Sequence, residues 1–426
     1  MKRYSSYKST GIQWLPEIPS HWEVLRFGSL FKRKPAINKP EEELLSVFLD
    51  RGVIKASDSD KRTHQASEDL SKYQLVEPSD FVMNNQQAWR GSVGVSDYTG
   101  IISPAYHIFP MPSCYDYHYA NYLLRDCVMV NLFDISSKGV GSIQRTLNFN
   151  WLNNGKCLLP PIEEQRQIVA YLDKKLTLIE TCKCQREREL QTLNELKQAE
   201  IASVVTRGLN PNVPMAYMDT PLKTMHPAHW TRVRNMTFLV DQNEKVGKRS
   251  DDFQLLSLTT NGVIVRDVES GKGKFPKDFE TYKIVEPGEL VFCLFDIDET
   301  PRTVGLSNNY GMITGAYDVF KVKDTIVNPS YVYAFYLVVD NIKALRPYYS
   351  GLRKVVKHNR FMQIGFPLPP IEEQNAIVEY IKSKTCKIDS MIDSLKQEIE
   401  RLTEFKQRLI SDVVTGQIDV RSEKIG

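Results

Sequence analysis

Two stretches of the sequence place amide, guanidinium and carboxylate side chains directly after short β-rich segments. Residues 84–92 carry amides and an arginine, and residues 294–303 carry carboxylates and an arginine. On double-stranded DNA, Asn or Gln suits adenine, Arg suits guanine, and Asp or Glu accepts from the cytosine amino group. Residue types alone favour the alternative, a pair of solvated surface loops. The candidate base-contacting residues are Asn84, Asn85, Gln86, Gln87, Trp89, Arg90, Ser92, Asp296, Asp298, Arg302 and Thr303.

A second pair of stretches, residues 136–145 and 348–357, combines glycine, small hydroxyls and cations. This composition suits close approach of the backbone to phosphate, which positions a protein on DNA more than it reads sequence. A basic turn in solvent explains the same residues equally well. The candidate phosphate-contacting residues are Lys138, Ser142, Gln144, Arg145, Tyr349, Ser350, Arg353, Lys354 and Lys357.

The sequence contains no complete catalytic or cofactor-binding motif. It has neither a G-x-x-x-x-G-K-[ST] phosphate loop nor a G-x-G-x-x-G dinucleotide turn. Cys182 and Cys184 are too close together for a zinc site. Asp296, Asp298 and Glu299 fit a polar loop better than a cation site, because the first loop has no equivalent carboxylates. We therefore expect no catalytic residue and no metal in this chain.

These loops belong to two copies of one framework, because the chain repeats itself at an offset of 209 residues. The heptapeptide Leu-Pro-Pro-Ile-Glu-Glu-Gln stands at 159–165 and again at 368–374, and 21 of the 48 residues from 159 to 206 match their counterparts. The segment Ile-Pro-Ser-His-Trp at 18–22 likewise returns at 226–230 as His-Pro-Ala-His-Trp. Such a match indicates a duplication.

A long helix follows each heptapeptide, with acidic residues in the first turn where they suit the helix dipole. Apolar residues then recur every three or four positions, which predicts a narrow stripe facing a partner helix. We expect the two helices to form an intramolecular antiparallel pair. The predicted stripes are Ile168, Leu172, Leu176, Ile179, Leu190, Leu193, Leu196 and Val204, and Ile381, Ile388, Ile392, Leu395, Ile399, Leu402, Phe405, Leu409 and Val413.

The predicted fold class is mixed α/β: two globular α+β units separated by two long antiparallel helices in a coiled coil, as a pseudo-two-fold internal repeat. The predicted domains are a globular unit at 1–157, the first helix at 158–207, a second unit at 208–366, and the second helix with a tail at 367–426. Each globular unit also contains an aromatic segment, at 117–124 and 331–337, which we predict to be a core helix rather than a base-stacking platform.

The composition is that of an ordinary protein of the cytoplasm. The 426 residues carry 55 Lys and Arg against 52 Asp and Glu, so the net charge of +3 permits nucleic-acid binding without indicating it. No apolar run reaches membrane-spanning length, and no signal-peptide core follows the first residues. Seven cysteines without framework spacing suit a reducing compartment.

The repeated heptapeptides, each followed by a long helix and alternating with two divergent units, resemble the specificity subunit of a type I restriction–modification system. The resemblance covers essentially the whole chain, with residues 159–169 and 368–378 as its best landmarks. It implies two target recognition domains that each read one half of a bipartite DNA site, and a helix pair that fixes the gap between the halves.

The resemblance also implies partners. Two methyltransferase subunits, which carry S-adenosylmethionine and methylate adenine, would dock on this non-catalytic chain, and two motor-nuclease subunits could join them. The chain itself would hold no cofactor. The candidate partner-binding residues are Pro160, Pro161, Glu163, Glu164, Gln165, Pro369, Pro370, Glu372, Glu373 and Gln374.

Two other interpretations compete with this one. A two-headed protein-interaction scaffold that dimerises through its helices is the main alternative, and pulldown of a methyltransferase would count against it. A self-contained DNA-modifying enzyme fits poorly without a nucleotide-binding motif.

Overall fold

The computed structural model describes residues 2–58, 69–140, 144–266, 279–351 and 354–423. It divides into two compact units: the first consists of Met1–Glu187 with Gln397–Gly426, and the second of Arg188–Lys396. The division passes through both long helices, so each helix contributes one half to each unit. None of the described helices is long and apolar enough to cross a membrane.

The first unit is a mixture of short strands and helices. Its strands are β1 (Tyr7–Ile12), β2 (Leu15–Pro19), β3 (Glu23–Arg26), β4 (Leu45–Phe48), β5 (Gly52–Lys55), β6 (Gln74–Val76), β7 (Phe81–Asn84), β8 (Val93–Val95), β9 (Gly100–Ile102), β10 (Tyr106–Phe109), β11 (Ser137–Val140), β12 (Gln144–Leu147) and β13 (Lys156–Leu159). Its helices are α1 (Phe27–Leu30), α2 (Tyr117–Arg125), α3 (Cys127–Ile135), α4 (Phe149–Asn154) and the first half of α5 (Ile162–Arg207).

The second unit repeats this order. Its strands are β14 (Met215–Met218), β15 (Thr224–Pro227), β16 (Thr231–Arg234), β17 (Leu239–Gln242), β18 (Leu256–Thr259), β19 (Gly262–Val265), β20 (Lys283–Val285), β21 (Leu290–Phe292), β22 (Val304–Leu306), β23 (Gly311–Ile313), β24 (Asp318–Val322) and β25 (Gly365–Leu368). Its helices are α6 (Pro329–Asn341), α7 (His358–Met362) and the first half of α8 (Ile371–Val414). The predicted mixed α/β class is confirmed.

Equivalent sheets organise the two units. In the first, β10, β7 and β8 form an antiparallel sheet in which Phe81 pairs with Phe109. In the second, β24, β21 and β22 form the same sheet, Leu290 pairs with Phe320, and β17 extends the edge. Another antiparallel pair joins the strand after each His-Trp to the strand before each heptapeptide, β3 with β13 and β16 with β25. The strand leading into each long helix is thereby fixed to its own globular part.

The aromatic segments form core helices, as predicted. Tyr119 is fully buried in α2, which Asp116 caps by accepting from two backbone N–H groups. Tyr331 and Phe335 are fully buried in α6, which Asn328 caps and Pro329 begins. Both arrangements are those expected at a helix start, where the first N–H groups lack partners within the helix.

The two long helices pair antiparallel within each unit. In the first unit Arg186 bonds to Glu398 at 3.0 Å and Lys406 to Glu180 at 3.1 Å, so residue numbers rise along one helix as they fall along the other. In the second unit Lys197 bonds to Asp389 at 2.6 Å, and Tyr380 to Glu200 at 3.2 Å. Arg186 and Glu180 lie between Ile179 and Leu190 of α5, where the predicted apolar stripe is interrupted by polar residues, so charge pairs replace the missing apolar contacts there.

The structure buries only some residues of the predicted apolar stripes. Ile179, Ile392 and Leu409 are buried as expected. Leu196 and Phe405, which occupy equivalent positions of the repeat, are instead 47% and 46% exposed. A strict heptad pattern drifts about 20° per heptad around a straight helix, so residues at the margin of a stripe leave the contact.

Candidate nucleic-acid interface

The two repeated motifs of the first unit meet at a buried carboxylate. Glu164, 5% exposed, accepts from the indole of Trp22 at 3.1 Å and lies 2.7 Å from the imidazole of His21. The phenol of Tyr4 donates to the same carboxylate. Three side chains from the start of the chain therefore hold the first turn of α5, and burial together with the hydrogen bond to Glu164 raises the pKa of Tyr4.

The second unit repeats this contact with fewer partners. His229 lies 2.8 Å from Glu373, and the Trp230 indole donates to the same carboxylate at 3.1 Å. The adjacent glutamine acts alike in both copies, since Gln165 bonds to the backbone of Asp116 and Gln374 to that of Asn328, each at 2.8 Å. These motifs join each globular part to its helix.

This placement divides the candidate partner-binding residues into two groups. One group is turned inward: Pro160, Glu164, Gln165, Pro369 and Gln374 are buried, and Glu373 is half-buried. The other group lies on the surface: Pro161, Glu163, Pro370 and Glu372 are exposed. Only the second group offers side chains to another protein without unfolding the contacts just described.

The first polar loop of the first unit, residues 84–92, is a tight turn with exposed amides. The Asn84 side chain accepts from the backbone N–H groups of Gln86 and Gln87 at 2.9 and 3.2 Å. This bond fixes the turn, because an Asn side chain that accepts from the backbone two residues on substitutes for a backbone turn bond. Gln86 and Gln87 are exposed, whereas Ser92 is 3% exposed. Ser92 is thus misassigned as a surface contact: it lies just before β8, where its neighbours enter the core.

Trp89 brings the two predicted loops of the first unit together. Its ring lies under the guanidinium groups of Arg90, at 4.6 Å, and Arg145, at 4.7 Å. Asn85 accepts from the backbone N–H of Leu147 at 3.3 Å. Arg145 also pairs with Asp134. The hairpin formed by β11 and β12 is therefore held by the contacts of Arg145 with Trp89 and Asp134 and by the bond of Leu147 to Asn85. A cation over an indole face is attractive because of the ring quadrupole. The two stretches therefore form one surface.

The second stretch of this unit is the hairpin β11–β12, in which Lys138 pairs with Thr146 and Val140 with Gln144. Exposed Lys138 borders a groove that Thr146, Asn148, Phe149 and Asn150 also line. Ser142 lies outside the described residues. Lys138 and Arg145 thus lie on one hairpin, and their contact with phosphate stays a prediction.

In the second unit, Asp298 connects the loop 294–303 to the stretch 348–357. Its carboxylate accepts from Arg346 at 2.8 Å, Tyr349 at 3.0 Å and Lys354 at 3.3 Å. The Arg346 hydrogen bond, with further ones from Tyr349 and Lys354, lowers the pKa of Asp298 to about 2. Burial and the bond to Asp298 raise the pKa of Tyr349 to about 12. Asp298 is consequently anionic at neutral pH and ties the two predicted stretches to each other.

Other candidates of the second unit have structural roles. The Thr303 hydroxyl donates to Asp340 at 2.6 Å, and Arg302 donates to the same carboxylate at 3.1 Å. Asp340 is 3% exposed, Thr303 is 2% exposed and the Arg302 side chain is 15% exposed. The predicted base contacts Arg302 and Thr303 are therefore corrected to anchors for the end of α6. Asp296 has a φ of 46°, and its carbonyl accepts from Thr300 at 2.9 Å, as a turn residue does.

Three candidates remain around the second hairpin-like turn. The Ser350 hydroxyl donates to the Val355 carbonyl at 3.1 Å, which holds the turn closed. Lys357 is exposed beside α7. Arg353 lies outside the described residues. Of this stretch, Tyr349, Lys354 and Lys357 therefore present polar groups at or near the surface.

One correspondence unites both units. Arg145 and Lys354 occupy equivalent positions at the repeat offset, and each contacts the first loop of its own unit, through Trp89 in one and Asp298 in the other. The two units therefore share the position of the contact between their two predicted loops. The group that makes this contact differs: it is an aromatic ring in the first unit and a carboxylate in the second.

No catalytic arrangement accompanies these surfaces in the part of the chain that the structure describes. There, no group of three or more His, Cys, Asp or Glu side chains is placed to hold a metal ion. The strongly shifted carboxyl group, Asp298, is paired with cations rather than with a nucleophile or a second acid. Polar side chains on a repeated frame suit recognition.

Comparison with known proteins finds relatives that match 95% of this chain. The chain is 23% identical over 446 residues to the "Type I restriction enzyme MjaVIII specificity subunit" of Methanocaldococcus jannaschii, and the match covers 95% of each chain. Over nearly its full length the chain is similar to type I restriction enzyme specificity subunits. A second protein of that organism is 23% identical over 441 residues, covering 95% of this chain and 96% of the relative.

The fold of the chain also matches a solved structure. A chain described under "Structural basis underlying complex assembly and conformational transition of the type I R-M system" superposes with a TM-score of 0.65 at 12% identity, covering 94% of this chain and 99% of that one. No protein-family model matches the sequence. The fold is therefore shared where little of the sequence is.

The sequence alone did not indicate the roles of Arg346 and Asp134, or the contacts between each His-Trp pair and its Glu. Arg346 and Asp134 lie outside the predicted stretches, and nothing in their local sequence marks them. The His-Trp segments were marked by their repetition, because each returns at nearly the same offset as its Glu. Equal offsets for two motifs are the signal that would have placed them together.

Proposed function

We propose that this chain is the DNA-reading subunit of a methyltransferase complex and recognises a bipartite site, one half with each unit. The observation that carries the proposal is the shared frame with different junction chemistry: Trp89 with Arg145 in the first unit, and Asp298 with Lys354 in the second. Two readers of unlike half-sites need that combination. Exposed Gln86, Gln87 and the hairpin cations supply the groups that meet bases and phosphates.

We further propose that the long helices keep the two readers at a constant separation. Helices α5 and α8 have 46 and 44 residues, and each extends from one unit into the other. At about 1.5 Å per residue, a helix of this length spans roughly 65–70 Å. Antiparallel pairing with charged contacts in both units supports a stiff spacer over a flexible linker.

The chemistry would belong to partner subunits. Enzymes that modify a base must take it out of the stack into a pocket that also holds the cofactor. We propose that two methyltransferase subunits carrying S-adenosylmethionine dock on this chain, with motor-nuclease subunits as further partners. The exposed residues at the start of each long helix, Pro161, Glu163, Pro370 and Glu372, are the proposed contacts.

Sequencing of methylated adenines in the source cell tests the proposal. With the gene present we expect one bipartite motif, and without it that motif should lose its methylation. Exchanging residues 84–92 for an unrelated turn of equal length should then change the first unit's half-site alone. A motif that survives deletion of the gene, or a loop exchange that alters both halves, would show that the chain does not read DNA in this way.

A further inference from the structure

A surface groove lies between the hairpin β11–β12 and the short helix α4 of the first unit. Its volume is about 500 Å³, and Lys138 and Thr146 line one side of it while residues 148–150 line the other. Lys138 and Thr146 are direct partners across the hairpin, so their side chains point to the same face. Both residues are exposed, as is Asn150 on the helix side. The groove therefore offers an ammonium group, a hydroxyl and an amide at the surface.

The opposite face of the hairpin is bonded within the unit. Arg145 precedes Thr146 in β12, and successive side chains of a strand point to opposite faces. On its face, Arg145 contacts the ring of Trp89 and pairs with Asp134. The hairpin thus has one face that is held by its own unit and one face that borders the groove.

The charge around the groove is of one sign. Residues 135–162 contain no Asp or Glu, whereas Lys138, Arg145 and Lys156 fall within them. Asp134, just before this stretch, is paired with Arg145 on the other face of the hairpin. A lining with one cation, with neutral donors and without a carboxylate suits an anion, and a DNA phosphate is the anion that the proposed function supplies.

An exposed tryptophan stands next to this lining. Trp151 follows Asn150 in α4 and is 51% exposed. The other four tryptophans, all within the described part of the chain, are buried or half-buried. The side chain of Asn148 accepts from the backbone N–H groups of Asn150 and Trp151, which fixes this turn of the chain. Because tryptophan is highly buried on average and is enriched where proteins bind other molecules, a surface indole on a fixed turn indicates an external contact.

The second unit has a different group at this position. Leu152 and Phe361 are fully buried at equivalent positions of the repeat, which aligns Trp151 with Arg360. The guanidinium of Arg360 lies over the ring of Tyr348, 5.6 Å from its centroid. An indole at this place belongs to the first unit, so a contact made by Trp151 is expected at one half-site.

We propose that the sugar–phosphate backbone of the DNA crosses this groove, where Lys138, Thr146 and Asn150 bind one phosphate and the Trp151 indole packs against the adjoining deoxyribose. The inference rests on the proposed function and deepens it by adding a sugar contact to the first unit. An indole offers an apolar face to a deoxyribose and an N–H that can donate to a phosphate. Backbone contacts fix the position of a protein on the duplex without reading its sequence. Trp151 should therefore affect affinity and leave the methylated sequence unchanged.

Hydroxyl-radical footprinting tests this inference, because the radical cleaves DNA where deoxyribose is exposed. The experiment uses the full chain with its methyltransferase partners on a duplex that carries the methylated motif. For the wild type, we expect protected deoxyriboses beside the half-site that the exchange of residues 84–92 assigns to the first unit. Trp151→Ala should remove that protection, keep the rest of the footprint and weaken binding about tenfold, as truncation of a tryptophan at the centre of an interface does.

The salt dependence of binding separates the indole from the cation. Lys138→Ala should reduce the slope of log affinity against log salt by about 0.9, because one phosphate contact is lost. Trp151→Ala should leave that slope unchanged, since an apolar contact releases no counterion. Thr146→Val, which keeps the shape of the side chain and removes the hydroxyl, should weaken binding about fivefold. Leu178→Ala, at a residue of α5 that is 53% exposed, is the control and should change neither the affinity nor the footprint.

Trp151→Phe, which keeps an aromatic face, should retain most of the affinity and the protection, and equal losses in Trp151→Phe and Trp151→Ala would overturn the packing contact. An unchanged footprint and affinity in Trp151→Ala would also overturn the inference. The wild type would then still bind and methylate its bipartite site, so the proposed function would stand.

A titration of subunit binding without DNA covers the other kind of partner. If Trp151→Ala weakened association with the methyltransferase subunits and left the footprint unchanged, the indole would be a protein contact and the inference would be wrong. A wild-type complex that gives no specific footprint would instead remove both proposals together.

Discussion

The imidazole of His229 lies 2.8 Å from the carboxylate of Glu373, and both residues belong to motifs that the chain also uses near its start. There, His21 lies 2.7 Å from Glu164. A contact formed twice, between residues 143 or 144 positions apart, fastens each globular part to the long helix that follows it. Each globular part is thereby oriented on its helix through the same types of side chain.

Replacing Glu164 with Ala should destabilise the first unit by about 2–4 kcal/mol, because the buried Tyr4 and Trp22 donors lose their acceptor. Hydrogen exchange should show reduced protection in β1 and at the end of α8, with the second unit unaffected. Glu163→Ala, at an exposed neighbouring position, is the matched control. Equal protection in both variants would mean that the carboxylate does not hold the helix.

Replacing Glu373 with Ala should lower the free energy of unfolding of the second unit by less than the Glu164 change lowers that of the first unit. The Glu373 side chain is 24% exposed against 6% for Glu164, and it has two donors rather than three. Water can replace part of the lost bonding at the more exposed site. A larger loss of protection in the second unit than in the first would contradict this order.

The Asp298 contacts should be insensitive to pH over the neutral range. Because the pKa of Asp298 is lowered from 3.8 to about 2, these contacts contribute stability above pH about 4 and lose it as the pH falls through 2. Asp298→Asn should loosen residues 346–349 at pH 7, as measured by hydrogen exchange. Asp296→Asn, in the same loop, should leave their exchange rates unchanged. Similar rates in Asp298→Asn and the wild type would argue against the junction.

The surface residues that begin the long helices should matter for partners and not for DNA. Changing both Glu163 and Glu372 to Ala should weaken association with the methyltransferase subunits about fivefold, as loss of two solvent-exposed charge contacts does. The methylated sequence should stay the same in residual activity. Glu404→Ala, an exposed change elsewhere on α8, provides the control in a titration of subunit binding. Equal association in both proteins would place the docking surface elsewhere.

Several elements of the fold follow directly from local sequence. The double proline and the acidic first turn predicted the starts of α5 and α8. A glycine with positive φ follows the end of each helix: Gly208 at φ 70° directly after α5, and Gly416 at φ 73° two residues after the end of α8. A left-handed residue is the usual way to end a helix, and glycine adopts it without steric cost. The buried aromatic helices were equally predictable, because helical spacing and large apolar side chains favour the core.

The details of the candidate interface depend on contacts between distant residues. Ser92 and Thr303 have the residue types of surface contacts, but they lie just before β8 and just before β22, where the chain enters the core. Arg346 reaches Asp298 across 48 residues, a distance that no local pattern encodes. Side-chain type predicts which chemistry is possible, whereas packing decides which side chains remain available.

The spacing of the two half-sites tests the central claim most directly. Insertion of the same four residues after Glu187 in α5 and after Lys396 in α8 keeps the helix pairing within each unit and lengthens the spacer by about 6 Å. Sequencing of methylated adenines should then show both half-sites unchanged and a gap longer by one or two base pairs, given about 3.4 Å per base pair. An unchanged gap in an active complex, or altered half-sites, would contradict the account.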